Sequence, residues 1–346
     1  MKVIFPCAGR SSRYPGLKPK YLLTCPDGSI MLQKVIEGMR LKSRDVIITI
    51  LKEHENRYGV KKGLRKIFGR QVKIVLLKKL TSSVVETVEK TLEEVKIKDD
   101  FMIKDCDSYF NMGRMERSYN YLCAVSLDNL NFVRPANKSY VVINEQKNVI
   151  DIAEKKVISN IFSVGGYYFK NPRQFLGTYH QIKSQSQSTT ELYISHIIKY
   201  LIARKEVFRV VFVKNYLDWG TAEDWFNWIS RHKVYFIDVD GIVFYNTGRY
   251  FGPTWENAQP IKENIERINQ LYNSNNQIFL VTSRPEIYRK ITERQLVKYK
   301  VKCHKLIMGC LHARRVLIND FAITNKFPSA EAVNIIRDSN KLSELI

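Results

Sequence analysis

Two groups of residues in this chain have the types and spacing that handle phosphate. In the first, a turn of small residues, Ala8-Gly9-Arg10-Ser11-Ser12, is followed by Arg13, Lys18 and Lys20. Small residues let backbone N–H groups close on an anion, and a guanidinium grips two oxygens at once. Pro19 stiffens the loop between the two lysines. A strand, a small-residue turn and spaced cations make a cradle for a triphosphate. Asp107 ends an apolar run and offers the hard oxygen ligands that Mg2+ takes. Nucleotidyl transfer needs a cation bridging the phosphates, donors on the leaving pyrophosphate and an attacking phosphate in line. In the second group, Asp238 and Asp240 stand at i and i+2 where an apolar strand ends. That spacing lets two carboxylates share one phosphoryl centre.

The elements that must position these residues follow an α/β rhythm. Val3-Ile4-Phe5, Val46–Ile50 and Val72–Leu77 read as buried strands, and Met31–Met39, Tyr58–Phe68 and Ser83–Glu94 as helices. Such alternation argues for a mostly parallel sheet with helices on both faces. Phe101–Asp107 is a strand with Asp105 and Asp107 at its C-terminal end, where open α/β sheets bind ligands. Tyr140–Ile143 and Asn148–Ala153 form a hairpin, so the sheet is mixed. Phe162–Phe169 and Val207–Val213 are further strands. Lys183–Thr190 reads as a polar loop before a helix over Glu191–Ala203. After Ser230 the rhythm restarts with the strand Val234–Ile237. The expected domains are therefore 1–230 and 231–346, closely joined because no long linker separates them.

The first group resembles the signature of the nucleotidyltransferases that activate sugar phosphates, alditol phosphates and phosphocholine, A-G-x-G-[ST]-R followed by P-K-x-L. Ala8, Gly9, Ser12, Arg13, Pro19, Lys20 and Leu22 match, and Ser11 stands where the family has glycine. The resemblance implies a Rossmann-like domain in which Ala8, Gly9, Ser11, Ser12 and Arg13 cradle the nucleotide. It also implies that Arg13 and Lys20 hold the phosphates at the reaction centre. Leu217-Asp218-Trp219-Gly220-Thr221 resembles the family's W-x-D-x-G-T segment, which makes Asp218 a second metal ligand beside Asp107; the tryptophan here follows the aspartate. Asp105 assists or replaces Asp107. Glu154-Lys155 resembles the segment that contacts the acceptor and its phosphate, and Gly166 lies in a strand similar to the family's G-x-Y-x-F. Ser82, in Thr81-Ser82-Ser83, falls where the family reads the base, although serine and threonine also cap helices. The K-P-K-x-L form is most similar to the cytidylyltransferase branch. CTP is thus the expected donor, with a phosphorylated sugar, alditol or similar small metabolite as acceptor, Mg2+ as cofactor, and a surface-glycan precursor as product.

The second group resembles the haloacid dehalogenase superfamily, through Asp238-Val239-Asp240-Gly241, the strand Ile278–Val281 before Thr282, and a strand Val316–Asp320. The resemblance implies a capless α/β phosphatase domain. Asp238 is then the nucleophile that forms an aspartyl phosphate and Asp240 the general acid and base. Thr282 binds phosphoryl oxygens, and Asp238, Asp240 and Asp320 hold Mg2+. Arg315 supplies the balancing cation, ahead of Lys305 and Arg314. Asn319 departs from the usual acidic pair and leaves open a catalytically silent scaffold. Tyr245, Tyr250, Phe251 and Trp255 stand near the expected entrance, or pack locally.

Composition bounds these readings. The 346 residues suit two domains, and 56 Lys and Arg against 34 Asp and Glu leave a net charge of +22. Such a charge attracts anionic substrates, and it admits a different reading as a nucleic-acid end-processing protein. Against that, no G-x-x-x-x-G-K-[ST] loop, K-x-D-G motif or concentrated basic arm occurs. No apolar run reaches the roughly 20 residues of a membrane span. No cleavable leader is evident, and none of the six cysteines sits at metal-site spacing. A cytoplasmic protein with free thiols and without membrane insertion is expected, and assembly with copies of itself is left open.

Overall fold

The computed structural model describes residues 1–346 except 114–115, 130–136, 186–190, 248–253 and 321–328. The chain divides into two compact units, Met1–Trp225 and Phe226–Ile346. The six thiols are free, and four of them are buried. Among the described residues no helix is long and apolar enough to cross a membrane.

In chain order the N-terminal unit comprises β1 (Lys2–Pro6), α1 (Met31–Met39), β2 (Val46–Leu51), α2 (Lys52–Tyr58), α3 (Val60–Phe68), β3 (Lys73–Leu77), α4 (Val84–Val95), β4 (Phe101–Lys104) and β5 (Ser108–Asn111). There follow β6 (Asn120–Ser126), β7 (Ser139–Ile143), β8 (Val149–Glu154), β9 (Ile161–Phe169), α5 (Pro172–Gln185), α6 (Ile194–Ala203), β10 (Phe208–Phe212) and β11 (Lys214–Asp218). Helix α7 (Ala222–Ile229) spans the change of unit.

Nine strands form one mixed sheet, ordered β10-β6-β9-β4-β1-β2-β3, with the β7–β8 hairpin joined to β9. Strands β3, β2, β1 and β4 run parallel. Strand β9 lies antiparallel between β4 and β6. The central strands are largely apolar because both of their faces are covered: Val3, Ile4, Phe5, Phe101, Met102 and Ile103 are all fully buried. Since β1 and β4 are parallel neighbours, the turn after β1 and the acids after β4 emerge at one end of the sheet, side by side.

The structure redraws several expected elements. Tyr58–Phe68 is not one helix. Gly59, at φ +59°, closes α2 and begins α3, and α2 buries no residue, so it carries no hydrophobic period to detect. Lys183–Gln185 end helix α5 rather than forming a loop, and 186–190 lie outside the described residues. Helix α6 starts at Ile194 because Tyr193 caps it in an extended conformation. Gly166, expected to contact substrate, is a packing position instead. A Cβ there would stand 2.9 Å from Cys123 Sγ and 3.0 Å from Phe110 Cζ.

The C-terminal unit holds β12 (Val234–Asp238), α8 (Lys262–Asn273), β13 (Gln277–Val281), α9 (Arg289–Lys298), β14 (Lys305–Ile307) and α10 (Leu342–Leu345). The three strands are parallel, in the order β12-β13-β14. Val316–Asp320 is not a strand. It pairs with none of the three, and Val316 and Ile318 are 75% and 88% exposed. An apolar run becomes a strand only where a ladder accepts its backbone. Tyr250 and Phe251 lie outside the described residues, whereas Trp255 packs edge-on against Tyr288.

The packing at Gly166 leaves no room for a methyl group without displacing Cys123 or Phe110. Gly166→Ala should lower stability by about 1–3 kcal/mol, the range for overfilling a packed core. Urea denaturation checks this, and an unchanged midpoint would show that the position has slack.

Candidate functional site

The floor of the N-terminal site is made where β4 ends. Asp105 N–H donates to Gly165 O at 2.8 Å, which continues the β4–β9 ladder one step past the strand. Gly165 is at φ +75°, and a Cβ there would stand 2.3 Å from Asp105 Oδ2, so the glycine makes room for the carboxylate. A second, two-stranded sheet brings in Asp218. Strand β11 pairs antiparallel with β5, placing Asp218 opposite Ser108, and Trp219 N–H donates to Asp107 O at 2.9 Å. Two acids more than a hundred residues apart in sequence are thereby set on adjacent strand ends.

The turn after β1 forms the next wall. Ser11, where the family has glycine, sits in the left-handed region at φ +52°. Its Oγ accepts from Lys20 N–H at 3.2 Å, and its carbonyl accepts from Tyr14 N–H at 2.8 Å. The Tyr14 hydroxyl donates to Trp219 O, and Arg13 O accepts from Ala222 N–H at 3.1 Å, so the turn is tied to the segment that carries Asp218. Lys20 Nζ donates to Asp107 Oδ2 at 2.6 Å, and Arg13 Nη2 lies 3.9 Å from the same oxygen.

These groups face a cavity of about 750 Å3. Gly9, Arg10, Ser11, Ser12, Arg13 and Lys20 line it on one side, with Asp105, Asp107 and Asp218 at its base. Ser82 lines it too, but its N–H and Oγ donate to Glu86 Oε2 at 2.7 and 2.6 Å, and Ser83 caps α4. Thr81–Ser83 all line the cavity, and the expected helix cap is made by Ser83. Glu154 and Lys155 line the cavity without pairing with each other. Glu154 Oε2 accepts from Ser139 Oγ, and from Ser195 Oγ at 2.7 Å. Lys155 Nζ donates to Tyr193 OH at 2.6 Å. Ala8 is fully buried in the core beneath the turn, so its part is to let the backbone pass rather than to touch a ligand.

Electrostatics separate the acids. Burial would raise the Asp107 carboxyl, but the Lys20 ammonium and Arg13 guanidinium more than offset it and hold it at about 2. Burial, and then the neighbouring Asp107 charge, push Asp105 up to about 6 against the pull of Lys104. Lys104 itself is fully buried and burial brings it down to about 8. Its Nζ donates to Ser108 O and Ser108 Oγ, both at 2.6 Å, and to Asp105 O at 2.8 Å. Asp105, Asp107 and Asp218 line one polar cavity with the hard oxygen donors that Mg2+ takes, although their carboxylates do not close into a three-ligand cluster.

In the C-terminal unit, Asp238 ends β12 and Asp240 lies two residues beyond it. Arg315 Nη2 donates to Asp238 Oδ1 at 3.1 Å. Thr282 is fully buried, and its Oγ1 donates to Asp240 Oδ2 at 3.1 Å. Arg284 was not anticipated. Its side chain is wholly buried and forks onto Asp240, with Nη2 2.6 Å from Oδ1 and Nε 3.0 Å from Oδ2. Arg284 Nη1 also donates to Gln295 Oε1 at 2.9 Å. Asp320 is not brought to this group. It lies on the exposed stretch before residue 321, where its carbonyl accepts from Ser329 Oγ and the Asn319 side chain donates to Ser329 O. With no ladder holding 316–320, nothing among the described residues aims the Asp320 carboxylate at Asp238.

Lys104, Lys138, Tyr193 and Ser195 are the site residues that motif reading missed. Lys104 carried a signal, since a lysine between Ile103 and Asp105 at the end of a buried strand needs a partner. Lys138, Tyr193 and Ser195 stand in no recognisable pattern.

No protein-family model matches the chain, and no curated protein matches it. Solved structures do match its fold. A nucleoside-diphosphate-sugar pyrophosphorylase from Vibrio cholerae covers 66% of this chain and 99% of its own, at 18% identity and a TM-score of 0.57. An inositol-1-phosphate CTP transferase from T. maritima covers 64% of this chain and 90% of its own, at 14% identity and a TM-score of 0.52. The CTP:phosphocholine cytidylyltransferase of Streptococcus pneumoniae covers 66% of this chain and 97% of its own, at 20% identity and a TM-score of 0.51. The mixed α/β fold of these nucleotidyltransferases is therefore the fold of about two thirds of this chain.

Two outcomes follow from the charges. The folded, metal-free chain holds the Asp105 proton more tightly than the unfolded chain, whose aspartates titrate near 4. That stabilisation is complete below about pH 4 and is lost as pH rises through about 6. Asp105→Asn should therefore raise the melting temperature in EDTA at about pH 8 and change it little at about pH 4. An equal shift at both would contradict the assignment. Arg284→Met leaves Asp240 without its buried partner and should cost about 3–5 kcal/mol. Faster hydrogen exchange in β12 and β13 would register the loss, and unchanged exchange would mean the clamp is dispensable.

Proposed function

We propose that the N-terminal unit transfers a nucleotidyl group from a nucleoside triphosphate to a small phosphorylated acceptor. An acceptor phosphate oxygen attacks the α-phosphorus. The bond from that phosphorus to the bridging oxygen breaks, and pyrophosphate leaves. The observation that carries this reading is the convergence of Arg13, Lys20, Asp107 and Asp218 on one cavity at the strand ends. Arg13 and the amides of the Gly9–Ser12 turn hold the triphosphate, and Lys20 neutralises charge that grows on the leaving group. Asp107 and Asp218, with Asp105 assisting, would hold Mg2+, whose charge would offset that of the phosphates. Glu154 and Lys155 lie where an acceptor's hydroxyls and phosphate would meet them. CTP is the favoured donor, on the Lys18-Pro19-Lys20 form of the loop and because two solved structures of this fold are named for CTP. A sugar or alditol phosphate bound for a surface polysaccharide is the favoured acceptor class.

For the C-terminal unit the corresponding reading is hydrolysis of a phosphate monoester, with Asp238 as nucleophile, Thr282 on the phosphoryl oxygens and Arg315 balancing charge. The Arg284 fork on Asp240 and the remote Asp320 favour a second reading, a catalytically silent unit.

Pyrophosphate release with Mg2+, each common nucleoside triphosphate and a panel of sugar, alditol and choline phosphates tests the first reading. CTP with one acceptor class should give release, and Asp107→Asn should reduce it at least about a hundredfold. No release with any pair would overturn the reading. Hydrolysis of p-nitrophenyl phosphate that disappears in Asp238→Asn would establish the phosphatase; hydrolysis that is absent or unchanged would favour the silent unit.

A further inference from the structure

Lys138 takes no part in the chemistry above, yet it is among the most enclosed charges on the cavity wall. Only 11% of its side chain is exposed, against 20% for Lys20. It stands just before β7, and its Nζ donates to Asp218 Oδ2 and, at 3.1 Å, to Tyr216 OH. The same nitrogen lies 5.7 Å from the ring centroids of Phe162 and Tyr216, which flank it. The other Asp218 oxygen, Oδ1, accepts from Gly220 N–H at 3.1 Å. Among the described residues, one Asp218 oxygen thus accepts from the backbone and the other from Lys138.

A divalent cation bound at Oδ2 of Asp218 would take the position that the Lys138 ammonium fills. An ammonium and a dication cannot share it at contact distance, because like charges a few ångströms apart in a partly enclosed site repel strongly. Lys138 must therefore move when the metal arrives. Its four-carbon stem gives it reach. A displaced ammonium left without an anion in a cavity is costly. The anions that enter with the metal are substrate phosphates.

Resting on the assignment of Asp218 as a cation ligand, the geometry points to Lys138 as a placeholder. It fills the cation position on Asp218 in the metal-free chain, yields it to the divalent ion, and turns its ammonium to a phosphate in the same cavity. Lys20 on Asp107 makes a parallel arrangement on the opposite side, but there Arg13 remains beside the carboxylate.

Electron paramagnetic resonance of free Mn2+ measures the metal affinity of the full chain and of Lys138→Met, Lys138→Arg and Asp218→Asn. Without its competitor, Lys138→Met should bind Mn2+ about tenfold tighter or more. Lys138→Arg keeps the cation and should bind like the parent, and Asp218→Asn should bind more weakly. Parent and Lys138→Met of equal affinity, with Asp218→Asn weakened, would overturn the placeholder alone. No Mn2+ binding by the parent would overturn the metal assignment with it. A measurement on the unaltered protein covers the case in which Lys138→Met does not fold. Amine acylation read by mass spectrometry should label Lys138 slowly in EDTA and faster with saturating Mn2+. Inorganic phosphate added to the Mn2+-loaded protein should slow it again. Labelling indifferent to Mn2+ would overturn the proposal.

Discussion

Everything in the N-terminal unit depends on one electrostatic constraint: three carboxylates crowd the end of a buried sheet, and each needs a cation close by. Asp107 has Lys20 and Arg13, Asp218 has Lys138, and Asp105, whose nearest cation Lys104 bonds its backbone carbonyl rather than its carboxylate, holds its proton up to about 6 instead. Burying a carboxylate without a partner costs several kcal/mol, so the acids and lysines stand or fall as a set. The strand order follows from this need. Running β1 and β4 parallel and adjacent is what brings the cationic turn to the acids.

The supporting pieces are fitted to that cluster rather than to the fold in general. The β5–β11 pairing buries Phe110 and carries Asp218 to Asp107. Gly165 accepts a left-handed backbone so that the Asp105 side chain has space. Tyr14 ties the turn after β1 to the Trp219 backbone, which couples the position of Arg13 to that of the strand end carrying Asp218. In the C-terminal unit the comparable element is a single buried guanidinium, and there it locks one carboxylate in place instead of leaving it exchangeable.

Much of the sheet was legible in the sequence because its central strands are largely apolar runs, and the run before Asp105 marked the strand end where these acids line the cavity. What stayed hidden depends on partners. Val316-Leu317-Ile318 has strand chemistry, yet a run of apolar residues does not say whether a neighbouring edge will accept it. Gly166 fits a motif, but only packing reveals that Cys123 and Phe110 fill the space a Cβ would need. Ser11 in place of glycine looked like a departure; at φ +52° its hydroxyl takes the Lys20 amide and offsets the strain. Lys138 and Arg284 lie far in sequence from the aspartates they hold, and pattern reading has no way to pair charges across such distances.

The central claim is that these balanced carboxylates form a site for a divalent ion and a triphosphate. Anomalous diffraction from crystals grown with Mn2+ and a non-hydrolysable analogue of CTP tests it most directly. The account predicts an anomalous peak on oxygens of Asp107 and Asp218, with the phosphates against the Gly9–Arg13 turn. A peak elsewhere, or an analogue bound away from that turn, would contradict it.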